Sequence, residues 1–281
     1  MANARLLERM LLRDRAVVIA SLGLVIAVSW VYLLTGAGTG MAAIEMNPRS
    51  MAGGSAAAMG GAMAAMATPV DWTLSYALVM FFMWWVMMIA MMLPSAAPMI
   101  LLHAKIDRSA KMRAEQPGGL MPTAAFTLGY LLAWGLFSAM AVALQWHFEG
   151  LGLLSPQMMS SSSTVFAACL LLFAGAYQLS PIKQACLRHC RGPIQFLSRY
   201  WRPGTAGALT MGLRHGAFCM GCCWGLMALL FFGGIMNLYW IVGLALIVLI
   251  EKVMPLGPRV GQSSGALLLI WGAAFLYHGL A

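Results

Sequence analysis

Three cysteines lie within five residues of one apolar segment, in the sequence HGAFCMGCCW at positions 215–224. At about 100° per residue along a helix, Cys219 and Cys222 share a narrow face with His215. Cys223 lies at the edge of that face. Thiolate sulfur is a soft ligand that selects Cu(I) over harder cations. The pattern predicts a Cu(I) site on this helix, with packing of small apolar cysteines between helices as the alternative.

A second pair of cysteines, Cys186 and Cys190, lies in the sequence CLRHC directly after another apolar segment. The neighbouring Arg188 and Arg191 favour the thiolate form of both side chains. We expect this sequence to form a cytoplasmic loop in which the metal is first accepted. A reduced pair without function is the alternative, because disulfides do not persist in the cytosol.

Methionine is concentrated in residues 80–99, which read MFFMWWVMMIAMMLPSAAPM. Met87 and Met91 fall on one stripe of the predicted helix, where their thioethers could complete the site. Packing in the core is the other explanation of this stripe. Pro94 lacks a backbone N–H and is expected to break the helix near its inner end.

The elements that position these ligands are predicted to be membrane helices. Hydrophobic residues make up 62% of the chain and charged residues 9%, and the mean hydropathy is +0.83. A helix needs about 20 apolar residues to cross a bilayer, and seven apolar runs approach that length. These runs are 16–34, 72–93, 123–146, 164–179, 207–232, 239–253 and 265–280. The composition therefore predicts an all-α, polytopic membrane helix bundle of about seven transmembrane helices.

Basic residues are concentrated in alternate loops, and the other loops contain only Arg49. By the positive-inside rule, the N-terminus is inside the cell and the C-terminus is outside. The net charge of +9 is therefore explained by topology, with the lipid bilayer as the partner, and nucleic-acid binding is not expected. The same rule places Glu251 and Lys252 near the inner surface, as an electrostatic anchor that snorkels or meets Arg214.

The chain is predicted to contain three parts. Residues 1–35 form a cytoplasmic segment and the first transmembrane helix. Residues 36–71 form an extracytoplasmic loop rich in Met, Ala and Gly, whose composition predicts disorder unless a ligand binds. Residues 72–281 form a six-helix metal-binding membrane domain.

Four stretches carry a family resemblance. They read WWVMMIAMMLPSAAP (84–98), YQLSPIKQACLRHC (177–190), GLRHGAFCMGCCWGLM (212–227) and EK (251–252). Together they resemble the predicted metal-binding integral membrane proteins, a family that includes the membrane partner of a bacterial polyphenol oxidase. The resemblance implies a multi-pass protein of the bacterial inner membrane that binds metal and helps to load a partner enzyme with copper. The motif positions that it carries over are Met87, Met91, Met92, Pro94, Cys186, Cys190, His215, Cys219, Cys222, Cys223, Trp224 and Glu251.

The leading hypothesis is a membrane protein that carries Cu(I) and is not an enzyme. It would present copper to an extracytoplasmic copper enzyme. The candidate ligands are Cys219, Cys222, Cys223, His215, Met87, Met91, Cys186 and Cys190. One alternative is a thiol–disulfide oxidoreductase, which is disfavoured because a thiol pair in mid-membrane without a neighbouring positive charge is poorly activated. Another is a structural subunit of a larger membrane complex.

Overall fold

Helices form almost the whole of the structure, so the predicted all-α class is confirmed. The computed structural model describes residues 2–37, 71–113, 120–155 and 159–280. Most of the methionine-rich segment predicted over 36–71 lies outside these residues. The helices are α1 (Ala2–Leu34), α2 (Leu74–Arg113), α3 (Met121–Gly150), α4 (Thr164–Leu179), α5 (Pro181–Arg191), α6 (Pro193–Tyr200), α7 (Gly204–Ala228), α8 (Leu230–Gly233), α9 (Leu238–Val253) and α10 (Gly257–Leu280). A two-residue antiparallel pair, β1 (Leu154–Ser155) with β2 (Ser160–Ser161), follows α3.

Five helical segments of the described residues are long and apolar enough to cross a membrane. They are Arg15–Leu34, Leu74–Ala110, Met121–Gly150, Gly204–Gly233 and Gly257–Gly279. Helices α4 and α9 have 16 residues each, or about 24 Å, which is shorter than the roughly 30 Å of hydrocarbon in a bilayer. If the bent pair α4 and α5 counts as one span, the number rises to six. These segments are compatible with a membrane protein, whereas the seven spans and their orientation stay predictions.

A bend of 61° separates α4 from α5. Pro181 restricts the preceding residue to an extended conformation, and Ser180 has φ −67° and ψ 146°. The Ser180 hydroxyl oxygen then accepts a hydrogen bond from the backbone N–H of Lys183, at 3.2 Å, and caps the new helix. The bend brings α5 against α7. The CLRHC sequence therefore lies on a helix rather than in irregular structure, and its cytoplasmic location stays a prediction.

Helix α2 continues through Pro94 to Arg113, so the predicted break at Pro94 is also wrong. Pro94 removes only the hydrogen bond to the carbonyl oxygen of Ala90, and membrane helices that pack in a bundle tolerate such a loss. The hydroxyl groups of Ser95 and Tyr130 both donate to the carbonyl oxygen of Met92, at 2.8 and 3.1 Å. This polar turn is thus enclosed within the bundle.

Two glycines allow α3 and α7 to touch through their backbones. A Cβ atom at Gly212 would lie 1.9 Å from the carbonyl oxygen of Phe126, and one at Gly129 would lie 2.2 Å from that of Leu209. Small residues at a crossing permit this close approach between membrane helices. The contact holds α7, which carries the three clustered cysteines, against the helix that carries Tyr130.

Gly212→Ala should destabilise the protein, because the added methyl group meets backbone that no rotamer change can move. We expect the melting temperature in detergent to fall by roughly 5 °C, as overpacking costs about 1–3 kcal/mol. Gly243→Ala is the matched control, since a Cβ atom at that position has no neighbour within 4 Å. Equal melting temperatures for the two variants would contradict the close contact.

A buried ion pair joins α5 to α9. The Lys183 ammonium lies 2.5 Å from a carboxylate oxygen of Glu251, and the two side chains are 0% and 2% exposed. The Gln178 side chain hydrogen-bonds to both partners, so the charges are solvated by protein groups. Arg191 donates to the carbonyl oxygens of Glu251 and Met254, at 2.5 and 2.7 Å.

The expected anchor of Glu251 and Lys252 at the surface is therefore wrong. Both side chains are buried, and Arg214 lies over the ring of Tyr200 instead, 4.6 Å from its centroid. Adjacent residues of a helix point about 100° apart, so Glu251 meets Lys183 while Lys252 enters the interior on another side.

Glu251→Gln should lower the free energy of unfolding by about 3–5 kcal/mol, because it leaves the Lys183 ammonium buried without its carboxylate. The double variant Glu251→Leu with Lys183→Met removes both charges and should recover part of that loss. Denaturation in mixed micelles would measure both changes. A single variant as stable as the unmodified protein would show that the pair is not structurally important.

Candidate metal centre

Helix α7 presents three buried thiols on neighbouring turns. Cys219, Cys222 and Cys223 are each 1% exposed. The Cys222 and Cys223 thiols donate to the carbonyl oxygen of Cys219, at 3.1 and 2.9 Å, one helical turn back. These bonds direct the side chains along the helix, so the three sulfurs lie close together in an environment without water.

Helix α5 adds a fourth thiol to this group. The Cys190 sulfur lies 3.8 Å from the sulfur of Cys222, and it is also within interaction range of the Cys219 thiol. We define the thiol cluster as Cys190, Cys219, Cys222 and Cys223. The fifth cysteine of the region, Cys186, lies beside it. The role of the CLRHC sequence as the first site stays a prediction, and the bend before α5 places its second cysteine beside those of α7.

The absence of a side chain at Gly221 makes room for Cys186. A Cβ atom at Gly221 would lie 2.8 Å from the Cys186 sulfur. This contact seats α5 closely on α7 at the level of the thiol cluster. All six cysteines of the chain are free of disulfide bonds in the structure.

Helix α2 brings a thioether to the thiol cluster. The Met92 sulfur lies 3.8 Å from the sulfur of Cys223. The predicted ligands Met87 and Met91 are buried on the same helix. Met92 lies about 100° from Met91 around the helix. It is therefore not on the stripe that contains Met87 and Met91. Only the family motif pointed to this residue.

Helix α9 supplies a buried positive charge. The Lys252 ammonium lies 2.9 Å from the Cys219 sulfur, 3.2 Å from the Ser95 hydroxyl and 4.0 Å from the Met92 sulfur. The Tyr130 hydroxyl lies 3.1 Å from the same Cys219 sulfur. The Cys219 sulfur is thus placed to carry negative charge, because an ammonium group contacts it.

Sequence reasoning missed Lys252 because a lysine at the end of an apolar run ordinarily reaches the surface. The premise that no positive charge lies near the clustered thiols is wrong. The sequence did contain one signal for Lys252, because this lysine directly follows Glu251 and the family motif contains the same pair. Tyr130 was missed as well, because a single tyrosine in an apolar helix has no distinguishing pattern.

The two imidazoles nearest the cysteines in the sequence, those of His215 and His189, are held by aromatic rings. His215 is buried, and its ring lies 5.6 Å from that of Tyr130 and 6.1 Å from that of Phe126. Its Nδ1 atom has no hydrogen-bond partner within the described residues. His189 stacks on Phe218 at 4.1 Å. The His215 ring is therefore held in an aromatic stack beside the thiol cluster. Its Nδ1 atom remains available in the interior.

No three His, Cys, Asp or Glu side chains among residues 2–37, 71–113, 120–155 and 159–280 are arranged as a ready metal site. A structural zinc site has four such ligands in a closed tetrahedron, and the described residues do not provide one. Pairs of sulfur atoms, from two thiols or from a thiol and a thioether, are the arrangement present. Sulfur pairs of this kind are suited to a soft monovalent ion.

Comparison with known proteins supplies the family. The family model PpoB2, described as a copper chaperone, matches residues 81–275, which is more than half of the chain. No curated protein and no solved structure gave a significant match. The matched range contains the thiol cluster, Met92 and Lys252, and it confirms the resemblance noted in the sequence. The chain therefore belongs to the PpoB2 family of copper chaperones.

Proposed function

We propose that this protein holds Cu(I) at the thiol cluster and Met92, and passes it to a copper enzyme outside the bacterial inner membrane. The observation that carries the proposal is the meeting of thiols from α5 and α7 with a thioether from α2 at one buried place. Membership of a copper chaperone family supports copper as the cargo and argues against an enzyme. The other predicted ligands, Cys186, His215, Met87 and Met91, lie in or beside the same core.

The surroundings favour the monovalent state of copper. Thiolate and thioether sulfur bind Cu(I) in preference to harder cations, and the buried cluster keeps water away from the ion. A Cu(I) ion held by two thiolates has a net charge of −1, which the Lys252 ammonium, 2.9 Å from Cys219, neutralises. A divalent ion with the same two thiolates is already neutral, so the buried ammonium charge would remain unbalanced.

The path follows from the proposed orientation. Helix α5 follows the bend at the inner end of α4, so Cys186 and Cys190 are the first thiols that an ion from the cytoplasm meets. The ion then passes to Cys219, Cys222 and Cys223. The methionine-rich segment 36–71 lies on the outer side in this orientation, where thioethers bind copper in an oxidising environment that does not preserve thiols.

Cys219→Ser combined with Cys222→Ser should remove Cu(I) binding. Anaerobic titration against a chromophoric Cu(I) chelator should show affinity at least about 100-fold lower, beyond the roughly 10–100-fold loss seen when an outer-shell partner is removed. Cys169→Ser is the matched control, because Cys169 is exposed on α4, and it should bind as the unmodified protein does. Full copper retention by the double variant would exclude the thiol cluster as the site.

Lys252→Met should weaken Cu(I) binding by roughly 10–100-fold, because it removes the charge that balances the thiolates. Zn(II) binding should be unchanged or stronger, so the ratio of the two affinities is the quantity to measure. Lys105→Met serves as the control, since Lys105 is an exposed lysine of α2. An equal loss for both metals would indicate a purely structural role for Lys252.

A further inference from the structure

The bundle contains a group of buried methionines, of which the proposed binding site uses only Met92. Each of them is at most 5% exposed. They are Met80, Met83, Met87, Met88, Met91 and Met92 of α2, Met227 of α7, and Met159 and Met236 near the far end of α7. We define these nine residues as the methionine column.

One end of the methionine column touches the thiol cluster, because the Met92 sulfur lies 3.8 Å from that of Cys223. The other end touches a polar group. The Met80 sulfur lies 3.8 Å from the side-chain nitrogen of Gln145, and that nitrogen also donates to the Glu149 carboxylate at 2.9 Å. Glu149 is half-buried in the last turn of α3. The column thus connects buried thiols with a carboxylate that is partly open to solvent.

Two contacts fix how α2 is aligned with the segment that contains α7 and α8. The rings of Trp84 and Phe231 lie 5.4 Å apart, and the sulfurs of Met92 and Cys223 are in contact. Trp84 and Met92 are eight residues apart on α2, and Cys223 and Phe231 are eight residues apart in the other segment. The two segments run in opposite directions. Met88 of α2 and Met227 of α7 are each four residues from both contacts, so they lie at the middle level of the column.

Neighbouring thioethers in this arrangement are within reach of each other. Residues three or four apart on one helix face have Cβ atoms about 5–6 Å apart. A methionine side chain has three rotatable bonds, so its sulfur can approach either neighbour. The spacing between Met80 and Met92 therefore permits transfer in short steps.

We propose that the methionine column conducts Cu(I) between the thiol cluster and the Glu149 end of the bundle. This inference rests on the proposed function. Each step is a ligand exchange, in which a bond from copper to the next thioether forms as the bond to the previous sulfur breaks. Copper stays Cu(I) throughout. Between thioethers no electron or proton is transferred because thioethers are neutral, and when the ion leaves the thiol cluster the thiolates take back the protons that they released on binding it.

The chemistry of the two regions suits this movement. Conduction needs sites that bind an ion well enough to admit it and weakly enough to release it. Thiolates hold the ion firmly, whereas neutral thioethers hold it weakly and in series. The Glu149 carboxylate attracts the cation at the solvent-accessible end.

The test separates conduction from packing, because leucine has nearly the volume of methionine but no sulfur. Met88→Leu with Met227→Leu interrupts the middle level of the column. The control is Met121→Leu with Met140→Leu, at positions that are 71% and 45% exposed on α3. Each full-length protein is reconstituted in sealed phospholipid vesicles that contain buffered Cu(I), with a membrane-impermeant Cu(I) chelator outside. Protein-free vesicles measure the leak.

We expect the column variant to bind Cu(I) as tightly as the unmodified protein and to release it to the outside at least about tenfold more slowly. The control variant should release it at the unmodified rate. Equal release by all three proteins, with binding that depends on Cys219 and Cys222, would reject conduction and leave the proposed function intact. Failure of the unmodified protein to bind Cu(I) would reject both proposals.

Discussion

A lysine ammonium group lies 2.9 Å from a cysteine sulfur within an apolar helix bundle, and the arrangement of the centre depends on this contact. A buried ammonium is costly unless an opposite charge and hydrogen-bond acceptors surround it. The Cys219 sulfur provides the opposite charge as a thiolate, and the Ser95 hydroxyl oxygen accepts a hydrogen bond from the ammonium group. Four helices must therefore hold their positions together, because α9 carries the lysine, α7 the cysteine, α2 the serine and α3 the tyrosine that also contacts the sulfur.

The scaffold around this contact explains how the four helices are held. The glycine crossing brings α3 and α7 together without intervening side chains. The ion pair of Lys183 with Glu251 joins α5 to α9 on the opposite side. Lys252 is the next residue after Glu251, so the same turn of α9 supplies a structural charge and the charge at the centre. The position of the Lys252 ammonium thus depends on the Glu251 ion pair.

Sulfur is divided in the bundle according to its strength as a ligand. Thiols gather near the bend of α4 and α5, whereas thioethers extend from Met92 to Met80. A copper chaperone has to bind its ion selectively and also release it. A single type of ligand does not meet both requirements well. In the proposed function, thiolates would provide selectivity and strong binding, and neutral thioethers would provide weaker sites toward the far end. The separation of thiols from thioethers is consistent with membership of the copper chaperone family.

The sequence alone determined the class of the fold, the helix that carries the cysteines and the abundance of soft sulfur donors at the candidate site. Apolar runs and clustered thiols are local properties, so hydropathy and helical periodicity were sufficient to find them. The family was also recognisable, because the block from Gly212 to Met227 is long and specific.

Only the tertiary structure decided which groups from distant parts of the chain meet. It brought Cys190 to Cys222, selected Met92 as the thioether in contact with a thiol, and placed Lys252 in the interior instead of at the surface. These outcomes depend on the bend at Ser180, on the continuation of α2 through Pro94 and on the glycine crossing. The bend itself begins with Pro181. Which helix meets which is set by packing, and the residue pattern within one helix does not show the helix that packs against it.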